Sequence, residues 1–81
     1  MTSRELQKEL LELLPVLREL SFSFRDYVES LVRAGELVVA MEDLSTQLFE
    51  VDADLPHSRR VALKRIGNLV TLDEQYLRLI R

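Results

Sequence analysis

The chain has 81 residues and no cysteine, and its 11 Lys and Arg side chains against 14 Asp and Glu give a formal net charge of −3. This length supports one compact domain and excludes a two-domain enzyme with a cleft between its lobes. The absence of cysteine excludes a disulfide scaffold and a thiolate metal site. With 47% hydrophobic residues and only two Gly and two Pro, the composition favours helix. We expect a single helical domain over residues 1–81.

The first predicted helix covers residues 3–14. Its leucines recur at helical spacing: Leu6, Leu10, Leu13 and Leu14. Thr2 and Glu5 have the form of a capping box at its start. Pro15 removes a backbone donor and disfavours helical geometry in the residue before it. The helix therefore either ends there or continues with a kink through Leu17 and Leu20, and both alternatives stay open.

The second and third predicted helices meet at a tight turn. The second begins at Ser21 or Ser23, either of which can supply an N-cap oxygen, and runs to about Ala34. Its apolar side is expected to comprise Phe24, Tyr27, Val28, Leu31 and Val32. Gly35 suits the left-handed position after a helix. The third helix, residues 36–51, has Ala40 beside one apolar stripe, which comprises Leu37, Met41, Leu44, Leu48 and Val51.

A loop over residues 52–57, which contains Pro56, leads to a fourth helix. The apolar side of that helix is expected to comprise Leu63, Ile66, Leu69, Val70 and either Val61 or Ala62. Thr71 and Glu74 match a second capping box. The short amphipathic segment that follows carries Leu72, Tyr76, Leu79 and Ile80. The predicted fold class is all-α, a small bundle of four to five short helices.

Patterns for catalysis and metal binding are weak. A nucleophile needs a base within hydrogen-bond reach. The single histidine, His57, is followed directly by Ser58, but the side chains of adjacent residues rarely point at each other. We interpret His57 as a residue at a helix start or in a solvated loop. Asp52 and Asp54 lack the glycine and the closing glutamate of a calcium loop, and one histidine cannot build a zinc site. We expect no enzymatic activity, no cofactor and no metal.

No targeting or membrane-spanning segment is expected. Charged residues interrupt the leucines near the first residues, as a signal sequence would not allow. The longest apolar run, residues 37–41, is far shorter than the roughly 20 residues that a membrane span needs. We therefore predict a cytoplasmic protein that does not bind a membrane.

Charge is the most informative pattern. Residues 1–54 carry a balance of −7, and residues 55–81 carry a balance of +4. Between Ala34 and Asp54 there is no Lys or Arg, but there are six acidic residues: Glu36, Glu42, Asp43, Glu50, Asp52 and Asp54. Glu36, Asp43 and Glu50 recur every seven positions and so line one side of the third helix. This stripe is either a solvated face or a docking surface for a basic partner.

Val39 and Phe49 lie off the apolar stripe of the third helix. The helix is therefore either sandwiched in the bundle or exposes an apolar centre within an acidic rim. On the second interpretation, the docking residues are Glu36, Val39, Glu42, Asp43, Phe49, Glu50, Asp52 and Asp54. A basic cluster follows on the fourth helix: Arg59, Arg60, Lys64 and Arg65. The overall acidity argues against nucleic acid as a direct partner of that cluster.

Four short elements follow one another between Val28 and Ile80. They are a Gly35-Glu36 helix junction, a central helix with Ala40, Glu42, Leu44 and Leu48, an acidic loop that closes on Leu55-Pro56, and a Leu72-Asp73 pair followed by Tyr76. In this order and spacing the chain resembles the MafI-type immunity proteins of bacterial polymorphic toxin systems. Two positions differ from the family's pattern: Leu77 stands where an aromatic residue is common, and Thr71 where glycine is frequent.

The resemblance implies an immunity protein that binds and neutralises a cognate secreted or contact-delivered toxin domain in the cytoplasm. It also implies that the toxin is a nuclease, of a basic RNase type. An acidic face suits such a partner, because carboxylates can occupy the positions where substrate phosphates bind. The alternative is a small helical oligomerisation or adaptor module without a toxin partner. Its seam would comprise Leu6, Leu10, Leu13, Leu17 and Leu20.

Overall fold

The computed structural model describes residues 2–81. It consists of α1 (Ser3–Leu13), a 3₁₀ turn (Leu14–Val16), α2 (Phe22–Arg33), α3 (Leu37–Glu50), α4 (His57–Leu69) and α5 (Glu74–Leu77). The described residues contain no strand, so the predicted small all-α bundle is confirmed. None of the helices within residues 2–81 has the length and apolar content to cross a membrane.

Local signals set both ends of α1. At its start, the Thr2 hydroxyl accepts a hydrogen bond from the Glu5 N–H and the Glu5 carboxylate accepts one from the Thr2 N–H, each over 3.2 Å. This confirms the predicted capping box. At its end, the chain leaves the α-helix at Leu13, and Pro15 lies in the 3₁₀ turn that follows. The helix therefore ends at the proline, and does not continue with a kink. Arg25 of α2 holds this turn by donating a hydrogen bond from Nη1 to the Pro15 carbonyl over 3.0 Å.

Three helices end in the same motif. The residue after the C-cap has a positive φ in each case, namely Gly35 (80°), Asp52 (52°) and Thr71 (56°). The next N–H donates to the carbonyl five residues earlier, which defines a Schellman motif. These bonds are Glu36 to Leu31 (2.9 Å), Ala53 to Leu48 (3.0 Å) and Leu72 to Gly67 (2.8 Å). The left-handed conformation predicted for Gly35 is confirmed, whereas for β-branched Thr71 the same conformation is strained.

The predicted capping box at Thr71 and Glu74 is wrong. Thr71 adopts the left-handed conformation that ends α4. Its hydroxyl donates a hydrogen bond to the Val70 carbonyl over 2.6 Å. The N-cap of α5 is Asp73, whose carboxylate accepts a hydrogen bond from the Gln75 N–H over 3.0 Å. The left-handed backbone of Thr71 is incompatible with the extended backbone that an N-cap residue needs.

The core is formed by apolar side chains from α1 to α4 and the segments that connect them, and side chains of α5 pack against it. The largest buried contribution comes from α3, which buries Leu37, Ala40, Met41, Leu44, Ser45 and Leu48. Ser45 is the polar member of this stripe, and its hydroxyl donates to the Met41 carbonyl over 2.6 Å. The core-facing Ala40 and Ser45 are small, which permits close approach of neighbouring helices.

Besides Tyr27, which is described below, three residues predicted on apolar stripes are exposed. Val51 is the C-cap residue of α3 and lies past its last turn. Leu69 lies about 120° around the helix axis from buried Leu63, which takes it off the core side of α4. Val61 is exposed and Ala62 half-buried, so Ala62 is the member of that pair on the apolar side.

The leucines of the first segment belong to the chain's own core. Four of the five residues of the predicted oligomerisation seam are buried, namely Leu6, Leu10, Leu17 and Leu20. The fifth, Leu13, is half-buried and packs against the same core. These side chains cannot form a seam between copies unless the bundle opens.

Candidate protein-docking surface

One side of α3 is left uncovered by the rest of the bundle. We call it the α3 outward face, defined as Val38, Val39, Glu42, Asp43, Thr46, Phe49 and Glu50. These residues are exposed or half-buried, and they lie opposite the buried stripe of the same helix. At 1.5 Å per residue the face is about 18 Å long.

The structure brings five of the eight predicted docking residues onto this face. They are Val39, Glu42, Asp43, Phe49 and Glu50. Glu36 is exposed at the N-cap of α3, and Asp52 and Asp54 are exposed in the loop after it. The predicted set therefore runs along one helix face and continues past both of its ends.

The α3 outward face exposes large apolar side chains to water. Val39 and Phe49 are 39% and 43% exposed, so α3 is not sandwiched at these positions. Val38, which is not among the predicted docking residues, is 43% exposed as well. It lies inside the continuous apolar run of residues 37–41, where only the angle around the helix axis separates buried from exposed positions. Large exposed apolar groups rimmed by polar ones are typical of interaction sites.

Tyr27 of α2 extends this surface. Helical spacing predicted Tyr27 on the apolar side of its helix, but the side chain is 46% exposed. Its hydroxyl donates a hydrogen bond to Asp43 Oδ2 over 2.6 Å. The pKa of Tyr27 is raised from its ordinary value, because that bond and the negative charge of Asp43 favour the neutral phenol. The contact holds one carboxylate of the α3 outward face in a defined position.

Arg81 brings a positive charge to the other end of the α3 outward face. Its guanidinium carbon lies 4.8 Å from the centre of the Phe49 ring, a cation–π geometry. A shallow hollow beside this pair is lined by Leu48, Asp52 and Leu79, among others. One side of the Phe49 ring is therefore covered, and a partner would have to stack on the exposed edge or displace Arg81.

The ion pairs that the described residues show do not involve the acidic residues of the α3 outward face. The ion pairs Glu9–Arg65, Glu29–Arg33 and Glu74–Arg78 all use carboxylates outside this set. Asp43 accepts a bond from the neutral hydroxyl of Tyr27, which leaves its charge in place. The result is a negative surface at the centre of the helix, with Glu42 and Asp43 side by side.

His57, Asp52 and Asp54 are the residues weighed for catalysis or metal binding from the sequence. His57 is the first residue of α4, is exposed, and has Nδ1 3.4 Å from Nη2 of Arg60. Within the described part of the chain, no three His, Asp or Glu side chains cluster in a way that could hold a metal ion.

Comparisons of the chain with known protein families, curated proteins and solved structures gave no match.

Proposed function

We propose that this protein is an immunity protein, which binds a cognate toxin domain of the nuclease type through the α3 outward face and so neutralises it. One observation carries this proposal. An uncovered helix face presents three large apolar side chains, Val38, Val39 and Phe49, among the carboxylates of Glu42, Asp43 and Glu50. Large exposed apolar groups with charged groups between and beside them are typical of protein interaction sites.

The charge of the face supports a nuclease as the partner. An enzyme that cleaves nucleic acid binds phosphates with Arg and Lys side chains. Carboxylates held on a rigid helix can make the same charge-assisted hydrogen bonds and so compete with the substrate. The ion pairs described above use Glu9, Glu29 and Glu74, and the field of the α3 carboxylates accelerates the encounter with a basic partner.

The surface is large enough for this role. The described chain exposes 5004 Å² to solvent. A standard interface needs about 800 Å² from each partner. The α3 outward face, Tyr27 and the acidic loop after α3 can supply an area of that order. In this role the protein acts in the cytoplasm of the producing cell and needs neither a catalytic site nor a cofactor.

Co-expression with the toxin domain encoded beside its gene tests the proposal. We expect the wild-type chain to restore growth and to be recovered in a stable complex. The Asp43→Lys/Glu50→Lys double variant should lose protection and associate more slowly, with the largest effect at low salt. A matched control, Glu19→Lys/Asp26→Lys, makes the same charge change at exposed positions outside the face and should protect like the wild type.

Two results would count against the proposal. No rescue by the wild-type chain, with the toxin shown to be active alone, would reject this toxin as the partner and with it the immunity role tested. Rescue by the wild-type chain together with unchanged binding of the Asp43→Lys/Glu50→Lys variant at low salt would reject the α3 outward face. The helical circular dichroism of both variants establishes that each is folded.

A further inference from the structure

The contact between Arg81 and Phe49 has no part in the proposed function as stated above. The guanidinium carbon of Arg81 lies 4.8 Å from the centre of the Phe49 ring. That is well inside the roughly 6 Å at which a cation is attracted to the face of an aromatic ring. Both side chains are exposed, and Arg81 reaches the ring from the segment after α5. The α3 outward face therefore already holds one guanidinium group, which the chain itself supplies.

The end of α3 fixes the Phe49 ring beside an acidic residue. Phe49 lies in the last turn of α3, and its carbonyl accepts a hydrogen bond from the Asp52 N–H over 3.1 Å. The Schellman bond from Ala53 to Leu48, 3.0 Å long, closes the same turn. Phe49, Asp52 and Arg81 line one shallow hollow. A cation that stacks on the ring in this hollow is therefore close to Asp52.

The chemistry of this hollow favours a guanidinium group over other ligands. Three of the five residues that follow Phe49 are acidic, namely Glu50, Asp52 and Asp54, so a cation is preferred to an anion. A guanidinium is planar, stacks on an aromatic face and keeps N–H groups free to reach a carboxylate. The ammonium group of lysine is a compact charge that holds its water more strongly. An arginine side chain is therefore the ligand that the ring and the carboxylates fit together.

Arg81 is held on the ring by a weak contact. The ion pairs described for residues 2–81 use Arg33, Arg65 and Arg78, and none of them joins Arg81 to a carboxylate. An exposed cation–π contact by itself favours the covered ring over the open ring by about two- to fivefold. Another guanidinium that stacks on Phe49 and also reaches Asp52 makes one interaction more than Arg81 does. Such a group can therefore replace Arg81.

We propose that Phe49 and Asp52 form a guanidinium-binding subsite, which Arg81 fills in the free protein and an arginine side chain of the basic partner fills in the complex. The partner's guanidinium stacks on the ring and pairs with the Asp52 carboxylate. Phe49 thus selects arginine over lysine in the partner, and Arg81 weakens binding because it competes for the ring. The inference rests on the proposed function for the identity of the partner, but the subsite is testable without any toxin.

Calorimetric titration of the purified chain with hexa-arginine and with hexa-lysine at low salt tests the subsite. The two peptides carry the same side-chain charge, so the ratio of their dissociation constants measures the preference for guanidinium. Phe49→Leu keeps an apolar side chain without an aromatic face and should lower this preference by about two- to fivefold. Arg81→Ala removes the competing guanidinium and should raise the preference by a similar factor. An unchanged preference in Phe49→Leu would overturn the inference.

Matched controls separate the subsite from general charge effects. Arg78→Ala makes the same change in net charge as Arg81→Ala at an exposed residue that pairs with Glu74. It should leave the preference for hexa-arginine at the wild-type value, and equal effects of the two variants would reject Arg81 as a competitor. Phe22→Leu repeats the loss of an exposed aromatic ring on α2 and should also leave the preference unchanged. Helical circular dichroism shows that each variant keeps its fold.

The carboxylate of the subsite has its own test. Asp52→Asn should lower the preference for hexa-arginine, whereas Asp54→Asn, the same change at an exposed loop position, should weaken both peptides alike. Equal effects of these two variants would reject Asp52 as the paired carboxylate.

The peptide titrations and the co-expression experiment fail independently. A guanidinium preference that depends on Phe49, together with no rescue from the toxin, would keep the subsite and reject the toxin as its partner. Rescue without such a preference would keep the immunity role and reject the subsite. Where both succeed, the toxin domain should bind Arg81→Ala about two- to fivefold more tightly than Arg78→Ala. Equal affinities would show that the partner does not use the ring that Arg81 covers.

Discussion

The hydroxyl of Tyr27 donates a hydrogen bond to Asp43 Oδ2 over 2.6 Å and joins the exposed sides of α2 and α3. The contact fixes the side chain of an acidic residue at the middle of the α3 outward face. It also places an aromatic ring at the edge of that face, and tyrosine is enriched among the residues that dominate protein interfaces. Its two partners are 16 positions apart in the chain, so only the packing of the helices brings them together.

The titration of Tyr27 measures this contact directly. Its pKa is raised above the ordinary 10.0, and we expect Asp43→Asn to lower it, because the charge that favours the neutral phenol is removed. Alkaline absorbance titration in a Tyr76→Phe background isolates the Tyr27 signal, since the chain has two tyrosines. Because the folded pKa is the higher one, the contribution of the contact to stability is complete below pH 10 and is lost as pH rises through the folded pKa. Glu50→Gln should leave the pKa of Tyr27 unchanged, and equal titrations with and without Asp43 would contradict the contact.

Thr71→Gly should stabilise the protein. Thr71 has a φ of 56°, a conformation that costs L residues about 1–2 kcal/mol and glycine almost nothing. We expect a gain of about 1 kcal/mol in the free energy of unfolding, equivalent to roughly 4–8 °C in Tm for a domain of this size. Gly35→Ala is the reverse case. An added Cβ there has its nearest neighbour at 3.8 Å, so the backbone alone should cost about 1 kcal/mol. Thermal unfolding of both variants measures the two changes in Tm. A lower Tm for Thr71→Gly would contradict the proposal that the backbone of Thr71 is strained.

Gly67 and Leu77 should be energetically coupled. A Cβ added at Gly67 would lie 2.8 Å from Leu77 Cδ2, so Leu77 has to move. Alanine is better than glycine inside a helix by about 1 kcal/mol, but in the wild-type background the overlap opposes that gain. We expect Gly67→Ala to be more favourable by about 1 kcal/mol in a Leu77→Ala background than in the wild type. Denaturant unfolding of the four variants gives the coupling, and strict additivity would mean that α5 does not pack on Gly67 as described.

Leu10→Ala and Leu17→Ala should each cost about 2–5 kcal/mol of stability, because both side chains are fully buried. Leu69→Ala, at an exposed position of α4, serves as the matched control and should cost far less. Chemical denaturation at several protein concentrations separates a core role from a seam between copies. A loss of stability in Leu10→Ala that disappears on dilution would support the oligomerisation alternative.

The capping box should give a small pH dependence at acid pH. The pKa of Glu5 is lowered from 4.5, first because the carboxylate accepts a hydrogen bond from the Thr2 backbone N–H and then because it accepts one from the Thr2 hydroxyl. Its contribution to stability is therefore present above the unfolded pKa and lost as pH falls through the folded pKa. We expect Thr2→Ala, which removes the hydroxyl, to raise the pKa of Glu5 measured by NMR. An unchanged pKa of Glu5 in the Thr2→Ala variant would contradict these hydrogen bonds.

Helix boundaries were predictable wherever a single local signal acts alone. Thr2 with Glu5 began a helix and Gly35 ended one as expected, since capping bonds involve neighbouring residues only. At Pro15 the sequence left an end and a kink open, and the structure shows an end. The prediction failed at Thr71, where two local signals compete. The end of α4 takes Thr71 into a left-handed conformation, and the N-cap role passes to Asp73.

The sequence by itself determined that this protein is a helical bundle and that α3 carries a row of carboxylates on one side. Periodicity and capping act over one or two helical turns, so they can be read along the chain. Only the tertiary structure decided that Val38, Val39 and Phe49 stay exposed while the leucines of α1 are covered. It also decided that Tyr27 and Arg81 join the α3 outward face from distant parts of the chain. The physical reason is that exposure depends on which helices cover one another, and a helix with apolar residues on two sides gives no local signal for the side its neighbours will bury.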